Sequence, residues 1–132
     1  MRELTFETDR KTQLLDITAA VRDAVAGETG SAVTLFVPHT TAGIVLQASG
    51  AGATHVARDV EAALERVVDE GWPFRHAEEG DRNPWSHVRA ALTASSVTIP
   101  LAGGEPALGE RQAIFLCELD GPRRRRLLLT VT

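Results

Sequence analysis

The segment "QAIFLCEL", residues 112 to 119, constrains the fold more than any other part of this chain. Read as a strand, it sets Gln112, Ile114, Leu116 and Glu118 on one face and Ala113, Phe115, Cys117 and Leu119 on the other. The second face is wholly apolar and has to lie against a core. "SVTIP" before it and "RLLLTV" after it are further strand candidates, and "DGP" reads as a turn joining the last two into a hairpin. The same alternation marks "ELTFETD", with Leu4 and Phe6 against Thr5 and Glu7. In "SAVTLFVPH" it sets Val33, Leu35, Val37 and His39 in one row, so His39 ends an apolar file. "IVLQ", following an expected turn at Gly43, is another short strand.

Helical spacing appears in three places. "LLDITAAVRDAVAG" offers Asp16 or Thr18 as a cap, apolar Val21 and Val25, and a stop at Gly27. From Thr54 to Val68 the apolar residues Val56, Ala57, Val60, Ala63, Leu64, Val67 and Val68 recur at helical spacing, with Arg58, Asp59, Glu61, Glu65 and Arg66 on the other face. "NPWSHVRAALTAS" opens with Asn83 as N-cap and Pro84 at the first helical position, where its missing N–H costs little; His87 then falls in the first turn. Between these two helices, "GWPFRHAEEGDR" is polar and interrupted by Pro and Gly, the composition of a loop. The order of elements predicts one α+β domain over residues 1–132, dominated by antiparallel sheet.

Composition narrows the function classes. No apolar run approaches the roughly 20 residues of a membrane span, and the N-terminus lacks the apolar stretch of a secretory signal, so a cytoplasmic protein without a membrane partner is expected. A net charge of -4 and an aromatic content of 5% argue against a nucleic-acid partner, "PRRRR" at Pro122 to Arg126 being a local exception. With Cys117 the only cysteine, a disulfide or thiolate cluster within one chain is excluded. A metal would need histidine, carboxylate or amide ligands.

The histidines are His39, His55, His76 and His87, none at the spacing of a local zinc motif. His55 falls near Arg58 and Asp59 and reads as a surface residue. The other three lie at element ends or in a loop beside small residues, where a rigid scaffold presents functional groups. Brought together, neutral imidazoles hold a divalent metal or transfer protons, and spacing does not decide between these roles. Gln112 and Glu118 flank an apolar strand face. Glu118 fits a general base, a metal ligand, a partner orienting a histidine, or an ion pair with the neighbouring arginines. "SGAGAT", Ser49 to Thr54, reads as a flexible loop or a weak phosphate cradle, matching no phosphate-loop fingerprint.

Taken together, "VPHTTAGI", "NPWSHVRAALTASSVTIP" and "GERQAIFLCELDGPRRRRLLLTV" resemble the YjbQ family, the secondary thiamine-phosphate synthase proteins, over nearly the whole chain and in the same order. The family's H-T-[ST]-A falls on His39, Thr40, Thr41 and Ala42, its R-H on Arg75 and His76, and its [AS]-H-[ILV]-[KR] on Ser86, His87, Val88 and Arg89. Its Q-x-I-x-x-x-E falls on Gln112, Ile114 and Glu118, and its G-P-R turn on Gly121, Pro122 and Arg123. The resemblance implies a β-sandwich-like core with a few flanking helices, a homotrimer, and a weak thiamine-phosphate synthase activity.

The sequence also departs from that pattern. Relatives read T-I-N-E-N where this chain has Val45, Leu46, Gln47, Ala48 and Ser49, so Ala48 replaces an acidic residue. Trp85 stands where many relatives carry a polar residue, and Glu105 with Pro106 replaces Arg-Leu.

The resulting expectation is an enzyme-like trimer with His39, His87 and Glu118 as catalytic residues. Thr40, Thr41, Arg89, Gln112 and Arg123 are expected to bind a phosphorylated small molecule. His39, His76 and His87 are expected to hold a divalent metal, zinc or magnesium. The competing reading is a non-catalytic trimeric binding module for the same ligand class.

Overall fold

The fold is built by two antiparallel sheets of unequal size. In the computed structural model, which describes residues 1–76 and 82–132, the strands are β1 (Arg2–Glu7), β2 (Gln13–Asp16), β3 (Ala32–Phe36), β4 (Ala42–Ala48), β5 (Ser96–Ala102), β6 (Glu105–Pro106), β7 (Gln112–Glu118) and β8 (Arg124–Val131). The helices are α1 (Thr18–Val25), α2 (Val56–Val67) and α3 (Pro84–Ala91). One sheet runs β1-β8-β3-β5-β6 and the other β2-β7-β4. This is the expected α+β class with a largely antiparallel core.

The main core fills the space between the sheets. Val33, Leu35, Ile99, Leu127 and Leu129 face Ile44, Ile114 and Leu116, while Ile17, Val21 and Val25 around α1 complete the cluster. A second core lies on the other face of the small sheet, where Leu14, Ala113, Phe115, Cys117 and Leu119 meet Ala57, Val60 and Leu64 of α2 and Ala90 of α3. Strand β7 is therefore buried on both faces. The large sheet shows the alternation of a half-solvated surface along β8, with Arg125, Leu127 and Leu129 buried and Arg124, Arg126 and Thr130 exposed.

Two sequence expectations are corrected here, the hairpin and the turn at Gly43. The hairpin between the last two strands does not form, because both edges of β7 are taken, by β2 and by β4, and β8 pairs instead with β1 and β3. The "DGP" segment carries the chain from one sheet to the other, through a cis Gly121–Pro122 peptide. The expected helix ending at Gly27 forms as α1, and the residues ahead of it, Gln13 to Asp16, make a short strand that the sequence pattern did not mark, Leu14 and Leu15 pairing with Cys117 and Leu116. The Asp16 carboxylate then accepts from Thr18 N–H (2.9 Å) and Thr18 hydroxyl (2.6 Å), and the helix starts there. Finally, Gly43 is not a turn: it is a buried residue of β4. A Cβ on it would sit 1.9 Å from Thr93 Oγ1 and 2.8 Å from Ala94 O, so glycine lets the α3–β5 connection lie directly on β4.

Helix α2 keeps its expected place, but Glu61 turns inward while Ala63 and Val67 are exposed. Glu61 is 4% exposed, and Val67 57%. The Glu61 carboxylate accepts from Arg10 (2.7 and 3.1 Å) and from Leu14 N–H (2.9 Å), which satisfies a buried charge and ties α2 to β2. In the expected loop between α2 and α3, residues 77–81 lie outside the described residues.

Candidate functional site

The register of β3 on β8 creates the site. Phe36 pairs with Leu128, and two further steps would set Pro38 opposite Arg126. The β3 ladder stops before that point, which would leave the Arg126 N–H without a strand partner. The imidazole of His39 replaces it: Nε2 accepts from Arg126 N–H at 2.8 Å. A ring turned over would offer a carbon to that N–H, so the hydrogen bond fixes both ring orientation and tautomer. Nε2 is the unprotonated nitrogen and Nδ1 carries the proton. Burial, reinforced by the charges of Arg125 and Arg126, holds the His39 pKa below its ordinary value.

The segment after His39 is held by a buried polar cluster between the two sheets. Thr41 is buried, and both its hydroxyl (2.8 Å) and its carbonyl (3.1 Å) accept from the Arg125 guanidinium. Arg125 in turn forms a bidentate ion pair with Glu118, which is fully buried. Glu118 also accepts from Thr8 hydroxyl (2.7 Å) and from the N–H groups of Leu119 (3.0 Å) and Asp120 (3.1 Å). Its oxygens are thus occupied by an arginine, a hydroxyl and two amides. Of the roles open to Glu118 in the sequence, the geometry favours the ion pair over a base facing solvent.

Two cavities flank His87, in the first turn of α3. One, of about 410 Å³, is lined by His39, Thr40 and Ala42, by His87, Ala90 and Ala91, and by the chain from Thr93 to Ser95. The other, of about 290 Å³, is lined by Phe74, Arg75, His76, Pro84, His87 and Val88. The His76 and His87 rings meet edge to face with centroids 5.0 Å apart. A third opening, of about 510 Å³, lies beside His39, Thr40, Thr41 and Arg125. His39, His87 and His76 therefore succeed one another along one surface, with His87 common to two of its depressions. The absent side chain of Gly43 allows the α3–β5 connection to approach this surface from behind.

Other expected ligand-binding residues are placed elsewhere. Arg89 is 2% exposed and donates to the carbonyls of Val68 (2.7 Å) and Glu65 (3.1 Å), capping the C-terminus of α2. Arg123 pairs with Asp120 at 2.7 Å. Gln112 is at the opposite end of β7 from Glu118, six strand steps and roughly 20 Å away. It lines a separate depression with Arg22, Ser49, Gly50 and Arg111, so the small-residue loop belongs to that far end. Ala48 pairs with Gln112 and shares its location. His55 is exposed at the start of α2, as its neighbours indicated.

The arginine run is consumed by carboxylates. Arg124 pairs with Glu7, Arg125 with Glu118 and Arg126 with Glu3, in addition to the Arg123 pair. Two contributors were absent from the site residues chosen by sequence. Arg125 was signalled by its place in one file with Leu127 and Leu129, which turns it inward. Arg75 was signalled by its position beside His76, and it lines the His76–His87 cavity.

A centre built from His39, His76 and His87 does not fit this arrangement. Zinc takes an imidazole lone pair at about 2.0–2.1 Å, and the lone pair of His39 receives Arg126 N–H while its other nitrogen carries the proton. Among the described residues, no three histidine, cysteine or carboxylate side chains converge to hold a metal ion.

Comparison with known proteins agrees with the architecture. The family model for the UPF0047 protein YjbQ-like group matches residues 2–132. A UPF0047 protein of Archaeoglobus fulgidus is 34% identical over 127 residues, covering 96% of this chain and 97% of its own. The Bacillus subtilis protein YugU is 33% identical over 132 residues, covering 95% and 93%. Among solved structures, a YjbQ/UPF0047 protein from Clostridium acetobutylicum superposes with a TM-score of 0.90 at 32% identity, covering both chains completely. The chain belongs to the YjbQ-like UPF0047 family.

Proposed function

We propose that this YjbQ-like chain binds a phosphorylated small molecule along the His39–His87–His76 surface and slowly forms thiamine phosphate there. The observation that carries the reading is the shared position of His87. It joins a cavity bounded by His39 and Thr40 to one bounded by Arg75 and His76. Arg75 supplies a cation at the rim, and the imidazoles supply short-range hydrogen bonding to phosphoryl oxygens. In the reaction, the thiazole nitrogen attacks the methylene carbon of the pyrimidine diphosphate. The carbon–oxygen bond breaks, and pyrophosphate leaves with the bonding pair. Developing charge on that leaving group is what Arg75 and the histidines stabilise. Glu118 and Arg125 act at one remove, by holding Thr41 and the backbone next to His39.

Ala48 does not weigh against this reading within one subunit, because it lies at the far end of β4. The assembly in this proposal is the homotrimer and the setting the cytoplasm. Within the described residues, no helix is long and apolar enough to cross a membrane. Light scattering is expected to give three times the 14.2 kDa chain mass.

The test is thiochrome fluorescence of thiamine phosphate made from the two phosphorylated precursors, with calorimetric titration of pyrophosphate in parallel. Wild-type protein is expected to show both turnover and binding, and His87→Ala to lose turnover. Binding without turnover establishes the non-catalytic module instead. Neither binding nor turnover overturns the site.

A further inference from the structure

We infer that His39 serves this surface as a fixed hydrogen-bond donor, through Nδ1–H, to a phosphoryl oxygen of the ligand, and not as a metal ligand or a proton acceptor. The inference rests on the reading of the surface as a ligand site and assigns one of its residues a definite chemical role. Three observations converge on it. The first is the 2.8 Å hydrogen bond from Arg126 N–H, which occupies the Nε2 lone pair. A neutral imidazole has one lone pair and one N–H, so the second nitrogen has a proton to give and nothing to receive with.

The second is that this geometry is imposed by the sheet. Arg126 N–H points to the side on which β3 has ended, and no other acceptor for it occurs among the described residues. Turning the ring or moving the proton to Nε2 would leave a backbone donor facing a carbon or another donor, and the hydrogen bond would be lost. The third is access. Nδ1 has no hydrogen-bond partner among the described residues, and the ring lines the cavities on both sides of Thr40.

A donor held in this way has its orientation set before the ligand arrives, as an anion-stabilising group requires. Arg126 thereby becomes a positioning residue that acts through its backbone N–H, so truncating its side chain, as in Arg126→Ala, leaves that function in place. The same arrangement explains why the three histidines do not make a metal centre although they lie along one surface. The lone pair that a cation needs at His39 is turned into the sheet.

The experiment is long-range proton–nitrogen correlation NMR on the full chain labelled at histidine nitrogens, before and after zinc chloride or pyrophosphate. His39 is expected to show a protonated Nδ1 and an unprotonated Nε2 in the free protein, no change with zinc, and a shifted Nδ1–H with pyrophosphate. His39→Asn, whose amide N–H₂ stands near the place of Nδ1–H but does not reach Arg126 N–H, is expected to bind pyrophosphate with an affinity between those of wild type and His39→Ala. His39→Ala is expected to bind about tenfold or more weakly, the size of one hydrogen bond to a charged acceptor. A protonated Nε2 in the free protein, or a His39 nitrogen moved to a metal-bound position by zinc, overturns the donor role alone. An Nδ1–H tautomer in a wild-type chain that does not bind pyrophosphate overturns the ligand-site reading and the donor role with it.

Discussion

Replacing Glu118 by leucine isolates what the buried cluster contributes. The carboxylate is fully buried and faces Arg125, itself 4% exposed, across the space between the two sheets. Removing one partner of such a pair leaves an uncompensated charge and costs about 3–5 kcal/mol. That is a third or more of the stability of many domains. With a urea m-value of about 1–3 kcal/mol/M, the unfolding midpoint falls by roughly 2 M. Adding Arg125→Met removes the stranded guanidinium and is expected to restore much of the loss. Recovery stays incomplete by about 1–3 kcal/mol, because the N–H groups of Leu119 and Asp120 still lack their acceptor. Urea unfolding followed by circular dichroism of the single and double variants measures both steps. A Glu118→Leu cost below about 1 kcal/mol would falsify the account of a buried, fully occupied carboxylate. A double variant no more stable than the single one would show that charge pairing is not the origin of the loss.

Gly43→Ala pushes a methyl group into Thr93 Oγ1 and Ala94 O and is expected to cost about 1–3 kcal/mol. Adding Thr93→Ala should recover only part in thermal unfolding, because the carbonyl remains; full recovery would mean that the backbone contact is unimportant. Cys117 is buried and its thiol is pushed up to about 12, mainly by burial and then by Glu118. It should resist a thiol reagent at pH 8 until the protein is unfolded, and stoichiometric labelling of the native chain would contradict this. Burial alone would raise the pKa of Glu61, but its bonds from Arg10 and Leu14 N–H outweigh that and hold it below the ordinary carboxylate range. Its contribution is therefore complete above about pH 4.3 and fades as pH falls through the lower folded value. Stability profiles of wild type and Glu61→Gln should stand apart at pH 7 and converge in acid. A gap that widens on acidification reverses the sign and refutes the assignment.

The sequence determined the elements and the class of the fold because alternation and helical spacing are local properties, read over a few residues at a time. Val33, Leu35 and Val37 announce a buried file, and Asn83 with Pro84 announces the start of α3. It also separated His39, His76 and His87 from His55, since exposure near turns and small residues is local too. Partner choice is a different matter. That β8 leaves β7 and crosses to β1 and β3 follows from β2 and β4 competing for the edges of β7, and that competition involves residues far apart in the chain, such as Gln13 with Glu118 and Ala48 with Gln112. The same long-range pairing fixed the chemistry of single groups. It gave Arg89 to the end of α2, Glu118 to Arg125, and the lone pair of His39 to the amide of Arg126. Residue types declare what a side chain is able to do, whereas the register of one strand on another decides which of its atoms are still free to do it.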